Sequence, residues 1–164
     1  MLVASAALSW SVSAAEAPRF EVDASWPKTL PNKWIMGQAA GVAVDGDEHI
    51  SVIQRPKTLT ADEKAASLNP PTIKCCVPAP PVMEFVQDGT LQGYDWPQNE
   101  HGIHIDPKGF VWIGGNGDED GQILKFTKDG KFVLQIGHPG AQTNSGDTSR
   151  LGRPANMMVD DAAH

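Results

Sequence analysis

Cysteine is nearly absent from this chain: of 164 residues only Cys75 and Cys76 are cysteine, and they are neighbours. That excludes the multi-disulfide framework of small secreted domains, and a cysteine-type zinc site would need a second pair. Basic clusters are missing as well. Thirteen Lys and Arg stand against 20 Asp and Glu, a formal charge of −7 with no Lys/Arg patch. Neither a nucleic acid backbone nor an anionic membrane surface is therefore an expected partner. Beyond the first residues no stretch approaches the roughly 20 apolar residues of a membrane span. Long helical runs are lacking too. What remains is 40% apolar content, with 16 Gly and 13 Pro punctuating short Val/Ile/Phe/Trp-rich runs. Brief strands joined by tight turns, an all-β class in one globular domain, follow from that composition.

The N-terminus carries one further absence. Residues 1–17, from Met1 to Ala17, have the apolar and small-residue regions of a secretory signal, with cleavage suited to Ala14 or Ala17. No Lys or Arg precedes the apolar run, from which a true start that lies upstream or was lost is expected. A secreted or periplasmic protein is expected, with residues 18–40 as a lead-in to the folded domain.

A short apolar strand runs into aspartate three times: Gly41-Val42-Ala43-Val44-Asp45, Gly102-Ile103-His104-Ile105-Asp106, and Ala155-Asn156-Met157-Met158-Val159-Asp160. A second motif repeats in type, Glu84-Phe85-Val86-Gln87-Asp88-Gly89 against Lys125-Phe126-Thr127-Lys128-Asp129-Gly130, with Phe126 following Phe85 by 41 residues (126 − 85). That spacing is a β-propeller blade period. In the second copy, Gly102 to Asp106 turns through Pro107-Lys108-Gly109 into Phe110 to Gly114. The acidic loop 116–121 leads to Gln122 to Phe126, and Asp129-Gly130 turns the chain into Lys131 to Ile136. Four antiparallel strands make one blade.

The first copy has the same layout: Gly41 to Asp45, Ile50 to Ile53, Val82 to Val86 and Thr90 to Gly93. Its hairpin aspartates are offset by 61 residues (106 − 45), so 20 extra residues (61 − 41) separate its second and third strands, within a Pro-rich loop at 55–80 that holds Cys75-Cys76. The third copy reaches Asp160 and stops at His164 before a partner strand. Residues 41–164 thus read as about two blades and the start of a third, the front part of a longer propeller; closure by oligomerisation of partial rings is the alternative.

The pattern Gly-Val-Ala-Val-Asp, the run Glu100-His101-Gly102-Ile103-His104-Ile105-Asp106-Pro107-Lys108-Gly109, and Leu124 to Phe132 resemble NHL-repeat propellers. Within them the chain looks most like the peptidyl-α-hydroxyglycine α-amidating lyases and their bacterial relatives, over about Gln38 to Asp160. The resemblance implies six blades in the full-length protein, and a zinc-binding histidine at the head of an inner strand, which His101 matches. It implies a functional arginine at the end of the second strand, which Arg55 matches, with Gln54-Arg55 in place of the family's His-Arg. Calcium held by backbone carbonyls at Val42 and Ile103 is implied in the same way. Zinc would act as a Lewis acid on the hydroxyl oxygen of a carbinolamide, releasing amide and glyoxylate. Arg55 would hold the substrate carboxylate or developing negative charge. The other two zinc histidines and the catalytic tyrosine belong to later blades, and Tyr94 does not match that tyrosine.

Other residues have plainer readings. His104 lies on the opposite face to His101 as a packing or surface residue. Asp118, Glu119 and Asp120 lack the alternating spacing of a calcium loop and read as a solvated hairpin loop. Asp45, Asp106 and Asp160 read as turn caps. Cys75 and Cys76 are open between a vicinal disulfide, two free thiols and bonds to cysteines elsewhere. Trp34, Trp96, Trp112, Phe110, Phe126 and Phe132 fit inter-blade packing. Two rival functions stand beside the lyase. One is a non-catalytic NHL-type propeller binding a peptide, protein or sugar, a peptide or small molecule being the expected occupant of the channel. The other is a calcium-dependent lactone hydrolase of the gluconolactonase type, whose family resemblance implies an acidic ligand where this chain has Ala39-Ala40.

Overall fold

A computed structural model describes residues 16–94 and 101–160. Most of the leader, residues 1–15, and Trp96 lie outside the described residues. Among the described residues there are ten strands and no α-helix: β1 (Trp34–Ile35), β2 (Gln38–Val44), β3 (Ile50–Arg55), β4 (Val77–Pro78), β5 (Val82–Phe85), β6 (Leu91–Tyr94), β7 (Gly102–Ile105), β8 (Val111–Gly114), β9 (Gln122–Phe126) and β10 (Phe132–Gly137). Among the described residues no helix is long and apolar enough to cross a membrane.

The strands form two four-stranded antiparallel sheets, in the orders β2-β3-β5-β6 and β7-β8-β9-β10. Each is an up-and-down meander, and the two are consecutive blades of a β-propeller, as the 41-residue repeat requires. Their innermost strands, β2 and β7, pack side by side.

The sequence of β3 explains how the first blade is held. Ser51, Val52, Ile53 and Gln54 are all buried, so both faces of this strand are covered. On one face Ile53 and Val82 meet Ile103, Val111, Ile113 and Phe126 of the second blade, forming the inter-blade core. On the other, Val52, Met83 and Phe85 are covered by Trp26, Leu30, Trp34 and Met36 of the lead-in. Each such buried side chain contributes about 1.5–3 kcal/mol, so the lead-in is part of the fold.

The hairpins follow from the repeated aspartates. Asp45 Oδ1 accepts the backbone N–H groups of Asp47 and His49, and Asp106 Oδ1 those of Lys108 and Phe110. Gly89, Gly109 and Gly130 adopt φ of 84°, 80° and 81° at equivalent turn positions, a left-handed conformation that favours glycine.

Several boundaries differ from the sequence reading. β2 starts at Gln38 instead of Gly41, with a register shift between Ala39 and Gly41, and β3 continues through Gln54 to Arg55. The insertion is organised: two 3-10 turns (Pro56–Thr58 and Ala65–Ser67) lead to β4, which pairs in parallel with β1. The third repeat, expected as a strand, forms no ladder pairing with any described residue. It nevertheless lies along β7. A Cβ on Gly41 would stand 3.0 Å from the His101 carbonyl oxygen, and one on Gly102 would overlap the Ala155 carbonyl oxygen. His101 precedes Gly102 as Ala155 precedes Asn156, so the third segment sits on the second blade as the second sits on the first.

The aromatic residues divide. Phe126 is in the inter-blade core and Trp34 packs on the first blade. The Trp112 and Phe110 rings hold the Lys125 ammonium, 4.6 and 3.9 Å from the ring centroids, with Asp106 Oδ2 3.6 Å from it. Phe132 meets Phe126 edge-on yet stays 59% exposed on the outer strand.

Candidate functional site

Strand direction sorts the polar residues to two ends of the molecule. β2 and β7 both begin at one end, where β3 also finishes; their hairpins, 45–49 and 106–110, lie at the other. The strand-start end carries Arg55, the insertion, His101 and the third segment. The hairpin end carries Asp45, His49, Asp106 and Lys128.

At the strand-start end the free edges of β2 and β7 line a cleft of about 270 Å³ with Ala40, Gly41, Val42, His101, Gly102, Ile103, Ala155 and Asn156. His101 is half-buried there, and its Nδ1 lies 3.1 Å from the Ala155 carbonyl oxygen. A carbonyl can only accept, so Nδ1 donates this hydrogen bond and Nε2 is the ring nitrogen it leaves unengaged. Fixing one ring nitrogen on a backbone carbonyl is the arrangement that orients a metal-binding imidazole. The glycines make it feasible, since any side chain at Gly102 would push the third segment away.

Arg55 ends β3, and alternation along the strand puts its side chain on the face that Ile53 presents to the second blade. Its Nε is buried without a hydrogen-bond partner, and among the described residues no carboxylate pairs with it. A guanidinium in that condition is suited to an anionic group. The preceding Gln54 does something the sequence did not announce. Fully buried, it donates from Nε2 to the carbonyls of Ala79 and Pro80 and accepts the Gly37 N–H at Oε1. One side chain thereby fastens the lead-in and the returning limb of the insertion to β3.

The sequence-derived residues separate accordingly. His101, Val42 and Ile103 share the cleft and Arg55 shares its end. His104 is half-buried and packs on the third segment, its Nε2 accepting the Val159 backbone N–H at 3.4 Å. Asp118 pairs with Arg153 at 3.4 Å, and Asp120 accepts the Gly117 N–H, as expected of a loop. Cys75 and Cys76 are bonded to each other. The side chain of Tyr94 lies outside the described residues.

Two polar clusters at the hairpin end were missed. Asp45, Asp47 and His49 bring one ligand atom each within 4.8 Å of one another, which would suit a cation. Lys128, from the last turn of the second blade, already takes that role: its ammonium bonds Asp45 Oδ2 and lies 2.9 Å from His49 Nδ1, with Glu84 Oε1 at 3.9 Å. Burial raises the Asp45 pKa, but the hydrogen bonds from Lys128, His49 and the Asp47 backbone outweigh it and hold the value at about 2. Burial likewise opposes the charge of Asp106, yet the Trp112 indole N–H, the Phe110 and Lys108 backbone N–H groups and the nearby Lys125 ammonium keep its carboxyl below the usual range. The signal available in sequence was the register: Glu84 and Lys125 occupy equivalent positions (125 − 84 = 41) with opposite charge.

The donor set for a metal can be tested at the cleft. His101 offers one imidazole nitrogen with its tautomer fixed, which fits zinc; closed zinc sites use four ligands and open ones three. No other His, Cys, Asp or Glu lines the cleft among the described residues, so this part of the chain supplies one ligand. For calcium, Val42 and Ile103 offer main-chain oxygens on adjoining strands, a donor type suited to a hard cation.

No protein-family model matches this chain, and no curated protein matches it. Among solved structures a gluconolactonase from Xanthomonas campestris resembles it in outline, with 19% sequence identity and a TM-score of 0.42 over 77% of this chain and 33% of that one. The chain therefore spans about a third of that neighbour's length. It is an all-β chain of propeller blades, shown by its own two four-stranded sheets.

Proposed function

We propose that the protein is a metal-dependent propeller enzyme that works at the strand-start mouth of the channel and resembles the amidating lyases in splitting a peptidyl-α-hydroxyglycine to amide and glyoxylate. The observation that carries this reading is His101: its Nδ1 is fixed on the Ala155 carbonyl, leaving Nε2 as a ligand beside the cleft. Bound zinc would supply Lewis-acid polarisation of the substrate oxygen. The chain's own residues do the rest. His101 holds its ring in one orientation, Arg55, whose Nε has no hydrogen-bond partner among the described residues, offers its guanidinium to the substrate carboxylate, and Gln54 keeps the insertion fastened beside that end.

Calcium on the Val42 and Ile103 carbonyls would brace β2 against β7. The apolar, small-residue leader and a formed disulfide support export to an oxidising compartment.

The test is glyoxylate release from an α-hydroxyglycine peptide by the full-length protein, with and without chelator, and with gluconolactone hydrolysis assayed in parallel. Chelator-sensitive glyoxylate release is expected. Lactone hydrolysis alone would move the assignment to the gluconolactonase type, against which stands the lack of any carboxylate lining the cleft among the described residues. Neither activity would leave a binding module.

A further inference from the structure

We propose that the Cys75–Cys76 bond is a thiol-exchange site, open to an external thiol in the folded protein, with Cys75 as the attacked sulfur and Cys76 as the leaving and resolving thiol. The two are the only cysteines in the chain and are bonded to each other. Stabilising the fold does not account for the bond. A disulfide between adjacent residues closes the shortest possible loop, so it removes the least chain entropy from the unfolded state. The insertion is already fastened by other means. Gln54 binds the carbonyls of Ala79 and Pro80, β4 pairs with β1 through Trp34 and Ile35, and the Thr72 N–H donates to the Ala65 carbonyl.

Position supplies the chemistry. Residues 71–75 are exposed, while Cys76 is half-buried as the chain turns into β4. The Cys75 side is therefore the more exposed flank of the bond, and attack is assigned to its sulfur. Lys74, next in the chain and also exposed, adds positive charge that attracts an anionic thiol such as glutathione.

The exchange balances as two steps. A thiolate forms a bond to Cys75 Sγ while the Sγ–Sγ bond breaks, and Cys76 leaves as thiolate and takes up a proton. A second external thiolate then attacks the external sulfur of the mixed disulfide, releasing oxidised external disulfide and the Cys75 thiolate. In the reverse direction Cys76, tethered beside Cys75, resolves the mixed disulfide. The site is separate from His101 and independent of the reading given to it.

The experiment equilibrates the full-length protein in a graded series of glutathione redox buffers without denaturant. Free thiols are then trapped with iodoacetamide and located by peptide mass. The expected result is reversible appearance of two alkylated cysteines while tryptophan fluorescence stays native. Cys76→Ser should accumulate one glutathione on Cys75. Three outcomes overturn the proposal: thiols trapped only after denaturation, a mixed disulfide that maps to Cys76 in the wild type, or purified protein in which the two cysteines are free under oxidising conditions. Because the wild-type trapping needs no variant, misfolding of Cys76→Ser would not rescue the idea.

Discussion

At the residue scale the chain places charge where its turns demand it, and each placement has a measurable consequence. Asp45 is 5% exposed in its side chain and shares Lys128 with His49 and Glu84. Its pKa of about 2 lies below the roughly 3.9 of an unfolded aspartate. A depressed carboxylate contributes stability that is fully present above the unfolded value and is lost as pH falls through the folded one. Thermal melts should therefore lose midpoint between about pH 4 and pH 2. Lys128→Met brings the folded Asp45 pKa back toward the unfolded value, so the variant should melt lower at neutral pH and lose less of its midpoint between about pH 4 and pH 2. A variant melting like wild type throughout would refute the latch between blades. Arg55→Lys makes a different expectation. Replacing a planar fork by a point charge weakens carboxylate binding, so KM for the hydroxyglycine peptide should rise several-fold while metal content stays constant.

The close approach of β7 to the third segment makes Gly102 equally testable. Gly102→Ala would drive a Cβ into the Ala155 carbonyl oxygen. Such overpacking costs about 1–3 kcal/mol, to be read from urea unfolding. A neutral result would show that the third segment is not seated there.

At the scale of elements, β3 is the central member of the first blade. Gln54→Ala would leave the Gly37 N–H and two carbonyls without their partner. Each buried group left unsatisfied costs about 1–3 kcal/mol. The expected signature is faster amide exchange at Val77 and Ala79, whose N–H groups bind the Lys33 and Ile35 carbonyls, with β8 and β9 unaffected. In the inter-blade core, Ile113→Ala removes a fully buried side chain, a class of change that costs about 2–5 kcal/mol.

These elements also show what the sequence could and could not convey. The hairpins were legible because Asp45 and Asp106, Gly89 and Gly130 recur in register, and a repeated turn needs repeated residues. The insertion was legible as an offset between copies. β1 and β4 were not, because two-residue strands carry no period and their parallel pairing spans some forty positions (77 − 34 = 43). Nor was Gln54, since a buried amide and an exposed one are the same letter. The Lys125 cage and the reach of Lys128 into the other blade depend on side-chain direction, which spacing does not reveal.

At the scale of the whole molecule, two blades stand in the relation that the third segment repeats, and the functional residues distribute by end. The hairpin end is internally neutralised by Lys128 and Lys125. The strand-start end carries an oriented imidazole and, among the described residues, an Arg55 Nε without a hydrogen-bond partner. That asymmetry is what the proposed function rests on, and the repeat that defines the fold is what brings His101 to the cleft between β2 and β7. His101 was legible through its place at the head of an inner strand, whereas its fixed tautomer depends on Ala155, 54 residues away. The most direct measurement is metal content per chain in the full-length protein, compared between wild type and His101→Ala, with circular dichroism verifying that the variant is folded. Zinc in the wild type, lost in the folded variant together with glyoxylate release, is the result expected here. A folded His101→Ala protein that keeps its metal and its activity would contradict the assignment of His101 as a ligand.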